Sequence, residues 1–292
     1  MSGAVAGSPA PQRRGAAGCG RGGAALAAGA VLVGIVVAGA LLSFVWTPYD
    51  PVLVQAGTPR LLAPSAEHWF GTDALGRDVF SRVLHGSRTT LFVGVVAVGV
   101  AALAGVPLGL LAAMSPRRWW DELIMRVSDV LLAFPALLLA IMFAAVYGAS
   151  TGIAMVAIGI ASIPAFARVA RSAALQVMST DYVLAARVAG RSPLAIAVRH
   201  VLPNISSLVI VQASVSFAIA VLAEAGLSYL GLGTPPPTPS WGRMLQESQD
   251  FLATYPLLVL FPGGAIAVAV LGFNLLGDGL RDLFDPRAEG RR

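Results

Sequence analysis

Apolar positions in this chain come in continuous blocks, not in the period-two alternation of a half-buried strand or the narrow stripe of a soluble amphipathic helix. Six blocks stand out, at about 24–46, 91–114, 124–147, 151–167, 205–230 and 257–276. At 1.5 Å per helical residue most of them reach roughly the 30 Å of a bilayer's hydrocarbon core, and the longest must tilt. The pattern therefore predicts an all-α integral membrane protein with six transmembrane helices. The fourth block is the shortest. Pro107, Pro135 and Pro164 are expected to kink or loosen their spans.

The polar stretches between the blocks divide the rest of the chain. Residues 1–23 are small, basic and without periodicity, which predicts a disordered cytoplasmic tail ahead of a retained first helix at 24–46. Residues 47–90 form an outer segment of turn residues. In its second half Val79, Phe80, Val83 and Leu84 recur at helical spacing with Arg82 and Arg88 elsewhere on the surface, which predicts an interfacial helix. The membrane-embedded bundle proper is expected over 91–280, with a polar segment at 168–204 on one side and an outer loop at 231–255 on the other. A second tail follows at 281–292.

Segment 181–203, DYVLAARVAGRSPLAIAVRHVLP, reads as two short helices hinged at a glycine. Asp181 is placed to cap a helix from Tyr182 to Ala189, and Gly190 sits where a left-handed helix end is wanted. Ser192-Pro193 supplies the cap and first position of a second helix ending before Pro203. In the second apolar block Ala97, Ala101, Gly105 and Gly109 fall four residues apart, a small-residue stripe that lets helix backbones approach. The loop GLGTPPPTPSWGRM is stiffened by consecutive prolines, Pro236 among them. Its Trp241 is expected as an interfacial anchor, or as a plug of an outer mouth. Glu224, Asn274 and Asp278 lie in or near apolar blocks and call for a polar surrounding; Gln212, Ser214 and Ser216 are candidates for a wetted lining.

Composition agrees with the blocks. Hydrophobic residues make up 57% of the chain and charged residues 12%, with a mean hydropathy of +0.77, too little polar surface for a soluble globule of 292 residues. The net charge of +5 is carried entirely by arginine, because the chain has no lysine. Placing both termini inside puts Arg13, Arg14, Arg21, Arg117, Arg118, Arg126, Arg168, Arg171, Arg187, Arg191, Arg199, Arg281, Arg287, Arg291 and Arg292 on the cytoplasmic side, against Arg60, Arg77, Arg82, Arg88 and Arg243 outside. The basic balance thus reads as topology, not as a nucleic-acid surface.

Without lysine the chain cannot build the phosphate-cradling GxxxxGK[ST] loop, so any ATP that drives it is bound by another polypeptide. His68, His85 and His200 are too scattered to propose a metal site, and the single Cys19 offers neither a disulfide nor a metal cluster. No catalytic, metal or cofactor residue is expected in this chain.

Four stretches carry a resemblance: HWFGTDALGRDVFSRVLHGSRTTL, the 181–203 segment, LAEAGLSYLGLGTPPPTPSWG and FNLLGDGLRDLFDPR. In this order and spacing they resemble the C-type permease subunit of bacterial dipeptide, oligopeptide and nickel ABC importers. Segment 181–203 is similar to that family's coupling motif: EAA, three residues, glycine, nine residues, a hydrophobic position, one residue, then Leu-Pro. Ala185, Ala186, Gly190, Leu202 and Pro203 match; Leu184 stands in place of the glutamate and His200 in place of the hydrophobe.

The resemblance implies the type I importer permease fold with a cytoplasmic coupling helix-turn-helix between the fourth and fifth spans. It also implies ATPase coupling through Asp181, Tyr182, Ala185, Ala186, Gly190, Pro193, His200, Leu202 and Pro203. Implied partners are a homologous B-type permease, two cytoplasmic ATPase subunits or domains that hold ATP and Mg, an extracytoplasmic substrate-binding protein and membrane lipid, with no nucleic acid. Glu224, Pro236 and Trp241 become candidates for an outer gate. A stand-alone secondary transporter or channel, a docking or sensory membrane subunit, and a relative carrying nickel chelates or another small solute remain alternatives.

Overall fold

The computed structural model describes residues 18–54 and 59–284, and apart from an isolated bridge between Thr72 and Asp78 its regular elements there are helices. Most of the expected tails, 1–17 and 285–292, lie outside the described residues. Five helices are long and apolar enough to cross a membrane, and a sixth crossing results if one bent pair counts as a single span.

The first span, α1, covers Gly18–Val45 and so begins before residue 24. The next helix, α2 (Val79–Met114), is 36 residues long, about 54 Å at 1.5 Å per residue. Asp78 caps it, accepting a hydrogen bond from the Ser81 amide at 2.7 Å. The expected interfacial helix is therefore not a separate element: Val79 opens a helix that runs unbroken into the span. Arg82, expected on the surface, is only 2% exposed because buried carboxylates surround it.

The expected third span is broken. Helices α3 (Arg118–Ala133) and α4 (Ala136–Tyr147) meet at an 84° bend. Pro135 has no amide hydrogen to give and its ring disfavours a helical residue before it, so Phe134 is extended at φ −90°, ψ 125°. The next helix, α5 (Thr151–Met178), is capped by Ser150 and outlasts the apolar block that ends at 167. Arg168 and Arg171, which end that block in sequence, pair with Asp129 and Asp121 of α3, so the helix continues through them.

Then come α6 (Asp181–Val188), α7 (Pro193–Ile196), a π-helical turn (Ala197–Val201) and α8 (Leu202–Tyr229). The second helix of segment 181–203, the knuckle, does not end before Pro203 as expected; it feeds through the π turn into the fifth span. Pro203 lacks the N–H that would bond Arg199, and the widened turn ahead of it accommodates the ring. Asn204 Nδ2 donates to the His200 carbonyl at 2.6 Å, satisfying one of the acceptors there. The last elements are α9 (Trp241–Ser248) and α10 (Leu257–Phe284).

At the centre α2 lies against α5 along the predicted small-residue stripe. A Cβ on Gly105 would meet Phe166 Cβ at 2.6 Å, and one on Gly109 the Ala167 carbonyl oxygen at 2.4 Å. α8 completes the core, with Phe217 stacked on Phe273 of α10 at 4.0 Å. α1 flanks α10 just as closely, since a Cβ on Gly279 would lie 2.5 Å from Leu26 Cα. Two polar ends result. The knuckle packs under the C-terminal ends of α2 and α5, at the same end as the start of α1 and the end of α10. The loop before α2, the α8–α9 loop and α9 cap the other end.

Candidate functional site

The knuckle is rigid for identifiable reasons. Thr180, not Asp181, is the residue that flanks α6; Asp181 occupies its first turn, where its negative charge suits the helix dipole. At the far end the Gly190 amide donates to the Arg187 carbonyl at 2.9 Å and the Arg191 amide to the Ala186 carbonyl at 3.1 Å. That pair of bonds is a Schellman ending, which needs a left-handed residue, and Gly190 has φ +76°. Ser192 then caps α7 by accepting from the Ala195 amide at 3.3 Å, with Pro193 in the first turn as expected.

One side of the knuckle is bolted to the membrane bundle. Val183, Ile196, Val201 and Ile205 are at most 2% exposed and share a core with Phe166, Ala170 and Ala174 of α5 and Val106 of α2. The other side is bare and apolar: Tyr182, Leu184, Val188, Leu194, Val198 and Leu202 are all exposed, Val188 by 90%. Ala185 and Pro193 lie on the exposed side, Ala186 is half-buried, and His200 sits 6.2 Å from the Tyr182 ring. The expected coupling residues thus form one block, anchored by Val183.

The opposite end is a polar lock that the sequence reading missed. Asp73 Oδ1 accepts from the Leu75 and Arg77 amides at 2.8 and 2.9 Å, folding TDALGRD around left-handed Gly76. Its Oδ2 accepts from Arg77 Nε at 2.8 Å and Arg82 Nη1 at 2.5 Å. Both guanidinium groups also reach Glu247 on α9, at 2.8 and 2.9 Å, and Arg243 adds a third bond at 3.1 Å. An acidic residue followed by two residues, glycine and arginine was the available signal for an Asx-type turn. Glu247, some 170 positions away, left none.

Burial alone would push the Glu247 carboxyl up, but Arg82 and Arg77 outweigh it and hold the group below its ordinary value of 4.5. A depressed carboxylate stabilises the fold fully above 4.5, and that contribution is lost as pH falls through the lower folded-state value. Thermal melting of the detergent-solubilised protein is therefore expected to drop as pH falls below about 4.5, and Glu247→Gln to flatten that slope; parallel pH profiles for the two proteins would exclude this role.

The outer-gate candidates lie at the same end of the bundle. Glu224 is 1% exposed and accepts from Ser228 Oγ at 2.7 Å and Thr234 Oγ1 at 3.4 Å, while Ser228 Oγ itself accepts from the Thr234 amide at 3.0 Å. Gly231, at φ +79°, ends α8 by a second Schellman motif and returns the chain over that carboxyl. Trp241 is not an interfacial anchor: it is 2% exposed, and its indole N–H donates to the Val83 carbonyl at 2.9 Å. The absence of a side chain on Gly86, whose Cβ would fall 2.8 Å from the indole, makes room for it. Pro236 lies exposed on the loop.

Two of the three pathway candidates are turned inward. Ser214 is buried and donates to the Phe273 carbonyl of α10 at 2.7 Å; Ser216 is buried and accepts from Gln212 Nε2 at 3.0 Å. Small hydroxyls on a packed helix satisfy neighbours first, and of the three candidates only Gln212 is half-buried instead of fully enclosed. Exposed polar side chains also occur on the α3–α5 pair, among them Asp129 on α3 and Arg168, Ser172 and Gln176 on α5.

A long helical bundle, a rigid apolar knuckle between two of its spans and a locked opposite end agree with the model of one family, the binding-protein-dependent transport system inner membrane component, which matches residues 105–290. The chain belongs to that family. Among its relatives, the dipeptide transport system permease protein DppC of Alkalihalophilus pseudofirmus is 46% identical over 78% of this chain and 75% of that one. The glutathione transport system permease protein GsiD of Escherichia coli is 47% identical over the same shares. An inward-facing structure of the MetNI methionine ABC transporter superposes with a TM-score of 0.57 over 67% of this chain and 93% of that one, at 18% identity, which establishes the shared fold. This protein is thus a non-catalytic inner-membrane permease with the importer permease fold.

Proposed function

We propose that this permease forms half of the translocation pathway of an ATP-driven importer of dipeptides or short oligopeptides, and that its knuckle is where cytoplasmic ATPase subunits push. The supporting observation is the two-sided knuckle: Val183 locks it to α2, α5 and α8, while Tyr182, Leu184, Val188 and Leu194 present an apolar face with nothing on it. A displacement applied to that face passes into the spans because the segment lacks a flexible joint. Leu184, where related motifs hold a glutamate, makes the contact one of apolar packing. An exposed ion pair is worth only about 0–1 kcal/mol, so its loss leaves most of the docking energy in place.

The chain has no lysine for a phosphate loop, so ATP and Mg belong to the partner subunits. The second half of the pathway comes from a homologous B-type permease, and a substrate-binding protein docks on the capped end. The arginine distribution supports a cytoplasmic knuckle and cytoplasmic termini. Peptide cargo follows from the relatives named for dipeptides and for glutathione, itself a small peptide. The assembled complex in proteoliposomes is expected to take up labelled dipeptide only with ATP and binding protein present. Flux of dipeptide down its gradient through this chain alone would overturn the assignment.

A further inference from the structure

Arg168 and Arg171 lie one turn apart on α5, and their surroundings differ in a way that packing does not demand. Arg171 is held in a two-bond fork: its Nε and Nη2 donate to both oxygens of half-buried Asp121 at 2.5 and 2.6 Å. Arg168 gives a single N–H to one oxygen of Asp129, and the two side chains are 50% and 63% exposed. A guanidinium carries five donors, so most of those on Arg168, and one oxygen of Asp129, remain open.

This half-used pair lies in a shallow, open surface cavity of about 430 Å3 formed with Met125, Val169, Arg171 and Ser172. Arg168 is 17 residues along α5 from Thr151, about 26 Å, near the knuckle-side edge of the hydrocarbon layer. Charged groups at that depth face water or protein, because lipid cannot solvate them.

We propose that Arg168 and Asp129 form a binding site for the two charged ends of a peptide leaving the pathway, a ligand that rests on the peptide reading above. The α-carboxylate takes the open fork of Arg168, as guanidinium groups bind carboxylates in two parallel bonds, and the α-ammonium takes the free oxygen of Asp129. The pair then holds the site in a closed, mutually neutralised form when no peptide is present. A zwitterion offers an opposite charge to each half of the pair at once, through the donors and the oxygen that the pair leaves free. Arg171, already held by Asp121, fixes α3 to α5 and sets the spacing of the two open groups.

Labelling tests this directly. Cys19, the single cysteine, is replaced by serine, Ser172→Cys is introduced beside the pair, and the permease is assembled with its partner permease and ATPase subunits. A small water-soluble thiol reagent is applied and modification of this chain is read by mass. Modification is expected without peptide, to slow several-fold with millimolar dialanine, and to be unaffected by dialanine amide. Adding Arg168→Gln is expected to abolish the protection, and Arg168→Lys, which keeps the charge without the fork, to restore part of it. No modification at residue 172 would mean that the cavity is filled by a neighbouring subunit and would overturn the site. Equal protection by dialanine and its amide, or protection that survives Arg168→Gln, would do so as well. A complex that imports dipeptides but shows no such protection loses this site alone; one that imports only another solute loses the peptide reading and this ligand together.

Discussion

Gly190→Val is expected to cut dipeptide uptake by about tenfold while leaving the permease inserted and the ATPase subunits hydrolysing within about twofold of their normal rate. A Cβ at Gly190 meets nothing within 4 Å, so the variant creates no clash; the cost lies entirely in the backbone. At φ +76° an L-residue is strained by roughly 1–2 kcal/mol, and a β-branched one by more, which shifts a conformational balance by about 5- to 30-fold. The chain relieves that strain by opening the turn, giving up the bonds from the Gly190 and Arg191 amides. α6 then pivots without carrying α7 and the π turn with it, and a push on Tyr182 or Leu184 no longer reaches α8. Gly190→Asn is the control, because asparagine tolerates left-handed geometry, and most of the transport should return. Parallel measurement of uptake and ATP hydrolysis in proteoliposomes separates the outcomes: a valine variant that transports normally, or an asparagine variant as impaired as valine, removes the turn from coupling.

The knuckle was legible because its signals are local. Gly190 and the Ser192-Pro193 pair each announce a helix boundary within a few residues, and the structure has each where the pattern places it. The stripe from Ala97 to Gly109 was legible for the same reason, since close approach along one helix face needs small residues at that period on that helix alone. The misplacements share an opposite cause. Block 124–147 reads as one span that Pro135 is expected to kink, and the pattern does not give the size of the bend, 84°. Arg82 looks like a surface residue until Asp73 and Glu247 are brought to it, and Ser214 looks like a pore lining until Phe273 offers its carbonyl. Wherever a polar group's partner sits on a different helix, composition and period carry no trace of it. The Arg168 site belongs to this class: Asp129 lies 39 residues away on a different helix.

The largest effect on the protein itself is expected from Gly109→Leu. Helices in lipid gain no hydrophobic driving force by meeting each other, so α2 and α5 hold together through close packing of backbones. At Gly109 the first carbon of any side chain falls 2.4 Å from the Ala167 carbonyl oxygen, 2.8 Å from Ala170 Cβ and 2.9 Å from the Arg171 amide nitrogen. Two of those three atoms are backbone, so no rotamer change can relieve the overlap and the helices must separate. Overpacking of a core typically costs about 1–3 kcal/mol where side chains can adjust, and this site has little to adjust. Separation also lifts α5 from the base on which Val183 and Ile196 rest, because Phe166, Ala170 and Val106 form the floor beneath them. The yield of folded permease should therefore fall by more than tenfold, and a protein recovered in detergent should melt well below the parent. Gly99→Leu, on the same helix with nothing within 4 Å of the new carbon, should leave the chain's own melting temperature unchanged. A Gly109→Leu protein that folds in normal yield and melts with the parent would mean that the α2–α5 seam is not what holds this bundle together.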